Sequence, residues 1–189
     1  MGKRPRIKRP EELIEPKTQI VSTTRIDGFI QNCASKNAKL IHTYKDVEIE
    51  IWIDKHYENR VNFGDDNGKR EGIEQSIVQS LIIDSVKYIF HFYLNTRISS
   101  FINFPDKKNP IRNNRIIIKD FRVVEVPLNI AIEIHFITYG KYEITVITAM
   151  KTVDMKIHDS QYCISLTNSG VNLNRMENKN LRTMDTIKI

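Results

Sequence analysis

The sequence predicts an α+β fold: one long helix packed on an antiparallel β-meander, with extended N- and C-terminal tails. Three observations carry this expectation. "DVEIEIWID" alternates apolar and polar residues with period two, the mark of a strand with one face in the core. From Gly72 the period changes. Ile73, Ile77, Val78, Leu81, Ile82, Val86, Ile89, Phe90 and Tyr93 follow helical spacing. The chain from Arg115 to Leu166 then reads as successive strands.

The elements are expected in this order. Residues 1–22 form a basic tail, which Pro5, Pro10 and Pro16 keep extended. Residues 23–166 form the α+β domain. "TTRIDGFIQNCASKNA" is a weak short-helix candidate, interrupted by Gly28. In "DVEIEIWID", Val47, Ile49, Ile51 and Ile53 take one face, while Glu48, Glu50 and Trp52 take a wet one. "NFGDDNGK" is a loop by its Gly, Asp and Asn content. The long helix covers about Ile73 to Tyr93, and "NFPDKKNPIRNN" breaks the chain at two prolines. "RIIIKDFRVVEV" is a strand. "NIAIEIHFI" and "YEITVITAM" flank "TYGK", a hairpin with Gly140 in the turn. "KTVDMKI" and "QYCISL" suggest a second hairpin around "HDS". Residues 167–189 are polar, Asn-rich and expected to form a C-terminal tail.

Composition bounds the function classes. The chain has 189 residues, 40% of them hydrophobic, enough for one core. No stretch approaches the roughly 18 uncharged apolar residues of a membrane span. "MGKRPRIKRPEE" is followed by no apolar signal segment, so a location in the host-cell cytoplasm or within a particle is expected rather than secretion. Cys33 and Cys163 stand far apart, with neither disulfide-framework nor zinc spacing. The abundance of Ile, Asn and Lys suits an AT-rich coding genome, such as that of a low-GC bacterium or its phage.

Net charge is +6 and the isoelectric point about 9.3. Lys3, Arg4, Arg6, Lys8 and Arg9 crowd the first ten residues. Such a tail is either simply solvated or neutralises a polyanion or an acidic partner.

Motifs exclude several chemistries. His42, His56, His91, His135 and His158 make no metal-ligand spacing, and neither a metal nor another cofactor is expected. No phosphate-binding loop, dinucleotide fingerprint or nucleophile elbow occurs. Metal-free phosphate chemistry needs an acid, a base and fixed cations. Histidine and arginine supply these. His56 and Arg60 share a face if "KHYENR" is helical, and Lys69 and Arg70 follow before the long helix. The same residues also fit a plain strand end, with Arg60 paired to Glu58 or Asp65. His135 is the second candidate. By alternation it shares a wet sheet face with Glu133, and Glu143 and Thr145 lie on the same open polar face. Asp154, Lys156 and His158 share a face in the same way.

The order "KHYENR", a second basic point, then "GIEQSIV" opening a helix resembles the opening of small proteins of the barnase, EndoU and RelE-like ribonuclease fold. The later "VPLNIAIEIHFITYGKYEITVITAMKTVDMKIHDSQYCISL" is similar to the closing strands of the phage members. The resemblance spans roughly Val47 to Leu166. It implies an α+β fold, RNA as substrate and metal-independent cleavage. By position His56, Arg60 and Arg70 match the opening motif, and Thr145 and Thr148 fall in the last-strand region. The inserted Asp65 and Asp66 depart from the pattern and would repel phosphate. Two readings follow. One is an RNA-binding or RNA-cleaving domain, with His56 and His135 as acid and base and Arg60, Lys69 and Arg70 on phosphate. The other is a non-enzymatic assembly protein of a phage virion, with its tails as arms toward protein partners.

Overall fold

Two helices and eight strands follow one another in the computed structural model, which describes residues 28–44, 47–63, 72–96, 98, 100–105, 113–122 and 126–189. The strands are β1 (Ala38–Tyr44), β2 (Glu48–Asp54), β3 (Arg115–Asp120), β4 (Leu128–Thr138), β5 (Lys141–Lys151), β6 (Tyr162–Thr167), β7 (Gly170–Glu177) and β8 (Asn180–Lys188). Helix α1 (Lys55–Phe63) follows β2, and α2 (Gln75–Thr96) leads toward β3. The class is α+β.

All strands join one sheet in the order β1-β2-β5-β4-β3-β6-β7-β8. It is mixed, which corrects the expected antiparallel meander. β2 pairs parallel with β5, and β3 parallel with β6; the other pairs are antiparallel. Alternation reveals which face a residue takes but not which strand lies beside it. Both parallel pairs join strands separated by at least one other element.

One sheet face is the core. Ile49, Ile51 and Ile53 of β2 face Ile144 and Val146 of β5, Ile130, Ile132 and Ile134 of β4, and Ile116 and Ile118 of β3. Helix α2 lays Val78, Leu81, Ile82, Val86, Ile89 and Phe92 on this face. Burying each such side chain contributes about 1.5–3 kcal/mol. Ile77 departs from the expected stripe and stays exposed, while Ser85 is buried and donates to the carbonyl of Leu81.

Helix α1 is short and is fixed by contacts outside itself. The Asp54 carboxylate accepts the backbone N–H of His56 at 2.7 Å, an N-terminal cap. Tyr57 is buried and donates to the carbonyl of Ile73 at 2.7 Å. Burial pushes its phenol up to about 12. A Cβ on Gly72 would stand 2.6 Å from the Cα of Val61. The entrance to α2 is thus pressed onto α1.

Several other expectations are corrected. Residues 28–37 form no helix. β3 stops at Asp120. The expected hairpin around "HDS" is absent: β6 pairs with β3 and β7. The chain after Leu166 is not an extended tail but the β6–β7–β8 arm of the sheet. Its last turn has Asn178 and Lys179 at φ 51° and 65°, the paired positive values of a two-residue hairpin turn. The expected basic tail, 1–22, lies outside the described residues.

Candidate functional site

The second sheet face is polar, and the register builds it strand by strand. Glu50 faces Glu143, Trp52 faces Thr145, His135 faces Glu143, Glu133 faces Thr145, and Arg115 faces Glu133. The sequence reading expected an open wet face here. The structure closes it: Glu133, His135, Glu143, Thr145 and Trp52 are all buried. Residues 28–37 form the cover. Asn32 donates to the Thr145 hydroxyl at 2.7 Å, and the backbone N–H of Cys33 donates to Glu143 at 2.9 Å. Ser35 bonds Asp54 and pins the same strap.

Glu133, only 1% exposed, holds the centre of this face. Its carboxylate accepts from Arg115 Nε at 2.8 Å and Asn113 at 2.7 Å, and meets His135 Nε2 at 3.3 Å. Burial alone would raise its pKa, but the hydrogen bonds from His135, Arg115 and Asn113 and the Arg115 charge outweigh that and hold it low. Glu143 moves the other way. Burial pushes its pKa up, against the Cys33 N–H and the nearby His135, and Glu50 adds to the rise. Two carboxyls on one face are therefore driven apart by their surroundings.

This buried chain reaches the surface at Arg115, whose side chain is half exposed, and at Asn113. Arg115 lines a cleft of about 440 Å³ with Ser100, Asn113, Asn114, His158, Asp159 and Gln161. The cleft sits where β3 and β6, a parallel pair, both begin. Its far wall is fixed: Gln161 accepts the backbone N–H of His158, Ser160 donates to the carbonyl of Met176, and Asp159 accepts the N–H of Asn178. Its near wall is fixed by Asn103, whose side-chain amide clasps the backbone of Asn114 with bonds of 2.7 and 3.0 Å. Among the described residues Arg115 bonds only through Nε, to Glu133, which leaves its Nη donors without a partner there.

The expected site residues are distributed as follows. His56 is exposed on α1, and Arg60 lies one turn further on. Arg60 donates to the hydroxyl of Thr148; Asp65, one of its two expected partners, lies outside the described residues. His135 lies in the buried cluster. The register sets it level with Glu143 and Glu50, whereas His56 follows Asp54 at the end of β2. The separation is at least about 13 Å along the strand at about 3.3 Å per residue, so the two histidines do not meet over one phosphate. Lys69 and Arg70, like Lys3, Arg4, Arg6, Lys8 and Arg9, lie outside the described residues.

Arg115, Glu133 and His158 were not singled out together by sequence reasoning. The available signal was Arg115 at the wet-face position of "RIIIKD" and Glu133 at the wet-face position of "NIAIEIHFI". Pairing those two strands makes them neighbours. Nothing local links either strand to His158, which arrives through the parallel β3–β6 pair.

Among the described residues no group of His, Cys, Asp and Glu is arranged to hold a metal ion, and no helix is long and apolar enough to cross a membrane. Comparison of the chain with protein-family models, with curated proteins and with solved structures finds no match.

Proposed function

We propose that the protein binds RNA through the Arg115 cleft and cleaves it without a metal. The observation that carries this reading is the fixed guanidinium. Arg115 is held through Nε by the buried carboxylate of Glu133 and lines a cleft to which His158 also belongs. A guanidinium held in this way loses little freedom when it takes a phosphate. The positive net charge of the chain favours a polyanionic partner, and the resemblance to small ribonucleases points the same way.

In this reading Arg115 neutralises the charge that grows on the phosphoryl oxygens. His158 takes the proton of the 2′-hydroxyl as that oxygen attacks phosphorus. The 5′-oxygen leaves with a proton from solvent, and a 2′,3′-cyclic phosphate results. His135 and Asn113 position Glu133, and through it Arg115. His56 and Arg60 have no part in this step.

The test is incubation of the full chain with single-stranded RNA in EDTA, reading binding and cleavage separately. Arg115→Gln is expected to weaken both. His158→Ala is expected to leave binding in place and slow cleavage by about 100-fold or more. RNA that neither binds nor breaks contradicts the whole reading. Cleavage unchanged in His158→Ala contradicts the catalytic assignment.

A further inference from the structure

One residue of the Arg115 cleft holds a backbone conformation that its own side chain disfavours. The backbone N–H of Gln161 donates to the carbonyl of His158 at 3.1 Å, which closes residues 158–161 into a turn. Ser160 is the third residue of that turn and stands at φ 68°, while Asp159 before it has no positive φ. This is the pattern of a type II turn, whose third position is the place of glycine or asparagine. For a serine, the Cβ makes the left-handed region a strained one.

The strain is held in place from several sides. The Ser160 N–H donates to the carbonyl of Met176 at 2.8 Å, and the Gln161 carbonyl accepts the N–H of Met176 at 2.9 Å. The Gln161 side chain accepts the N–H of His158 at 2.7 Å, and Asp159 accepts that of Asn178 at 2.9 Å. A disfavoured conformation persists where its surroundings over-determine it in this way. Lys179 also has a positive φ, but it sits in the two-residue β7–β8 hairpin, where paired positive values match the twist of the strands. The turn at Ser160 joins no hairpin, since β6 pairs with β3 and β7.

The fold itself makes no use of the Ser160 side chain. The residue is exposed, and its hydroxyl has no hydrogen-bond partner among the described residues. Its one bond to β7 is a backbone bond, which a glycine would make as well without the strain. Yet Ser160 lines the cleft together with Arg115 and His158. A strained residue at such a place points to a role in the site.

We infer that the Ser160 hydroxyl is a ligand contact of the cleft, donating to a phosphate oxygen of the RNA strand that Arg115 holds. The inference rests on the RNA-binding reading of the cleft and adds a neutral donor to its cation. Serine has one side-chain torsion to fix, and the turn that carries it is already rigid, so little freedom is lost on binding. A hydroxyl carries no charge, so the contact adds affinity without releasing a counterion.

The experiment measures fluorescence anisotropy of a labelled single-stranded RNA with 2′-O-methyl riboses, which offers its phosphates but has no 2′-hydroxyl to attack them. Two variants of the full chain separate the backbone from the hydroxyl. Ser160→Gly removes the hydroxyl and relieves the turn; Ser160→Ala removes the hydroxyl and keeps the Cβ. Both are expected to bind about 10-fold more weakly than wild type, the loss of one hydrogen bond to a charged group. The slope of log affinity against log salt should stay that of wild type. Ser160→Gly is expected to melt no lower than wild type and higher than Ser160→Ala. Weaker binding by a protein of undiminished melting temperature does not come from lost folding. Wild-type affinity in either variant, with binding still weakened by Arg115→Gln, overturns the Ser160 contact and leaves the cleft reading standing. A Ser160→Gly protein that melts below Ser160→Ala overturns the strain on which the inference stands. No binding of RNA by wild type overturns both.

Discussion

At the scale of the residue, two buried glutamates on the neighbouring strands β4 and β5, offset by two positions, carry opposite shifts. Glu133 is held below its ordinary value of 4.5 by donors that favour its charged form. Its contribution to stability is present above that value and is lost as pH falls through the lower, folded one. Glu143 is raised from 4.5 mainly by burial, so folding favours its protonated form. Its ionisation opposes folding as pH rises above 4.5 toward the folded value. The two neutral variants should therefore diverge. Glu133→Gln is expected to cost about 1.5–3 kcal/mol at neutral pH, the worth of hydrogen bonds to a charged group, and the deficit should shrink in acid. Glu143→Gln keeps an acceptor for Cys33 and should be at least as stable as wild type at neutral pH. Urea unfolding of both across pH checks this, and a parallel response of the two variants contradicts it. Sequence alternation correctly assigned both residues to one face. It could not reveal that the face was covered, because the covering residues 28–37 are polar and irregular.

At the scale of the element, the passage from β2 through α1 to α2 depends on two small contacts. Tyr57 donates to the Ile73 carbonyl, and Gly72 lies against Val61 where a Cβ would clash at 2.6 Å with backbone. Tyr57→Phe is expected to cost about 1 kcal/mol. Gly72→Ala should cost more, since it must move one helix from the other. A urea midpoint for Gly72→Ala equal to that of wild type contradicts the close packing. The long helix was legible because its stripe is apolar and long. β7 and β8 were not, because one face of the pair is a polar ladder. Asn172 accepts from Thr186, Asn174 donates to Ser165, and Thr183 donates to Asn174. A hydrophobicity pattern treats such a ladder as tail, although Val171 and Leu173 reach the core on the other side.

At the scale of the whole molecule, the sheet ends in two edge strands, β1 and β8, each with a register shift, at Leu40/His42 and at Leu173/Asn174 in the β7–β8 pair. Bulged edges are poor templates for another strand. The full chain is accordingly expected to be monomeric with and without RNA. Removing residues 178–189 uncovers the straight edge of β7 and should promote association. Light scattering reads both states. A stable dimer of the intact chain would return weight to the assembly reading in which tails or edges act as arms. The expectation of an α+β layer held because face and period are local properties. The mixed strand order escaped because partners are chosen across long stretches of chain, and the site escaped with it: Arg115 and His158 meet only through the parallel β3–β6 pair.

The central claim is that Arg115 is a phosphate ligand, and salt tests it most directly. For single strands, each phosphate neutralised adds about 0.7 to the slope of log affinity against log salt. The slope for single-stranded RNA should be smaller by about 0.7 in Arg115→Gln than in wild type, with Arg115→Lys keeping the wild-type slope. An Arg115→Gln protein that keeps both the wild-type slope and the wild-type affinity would contradict the account.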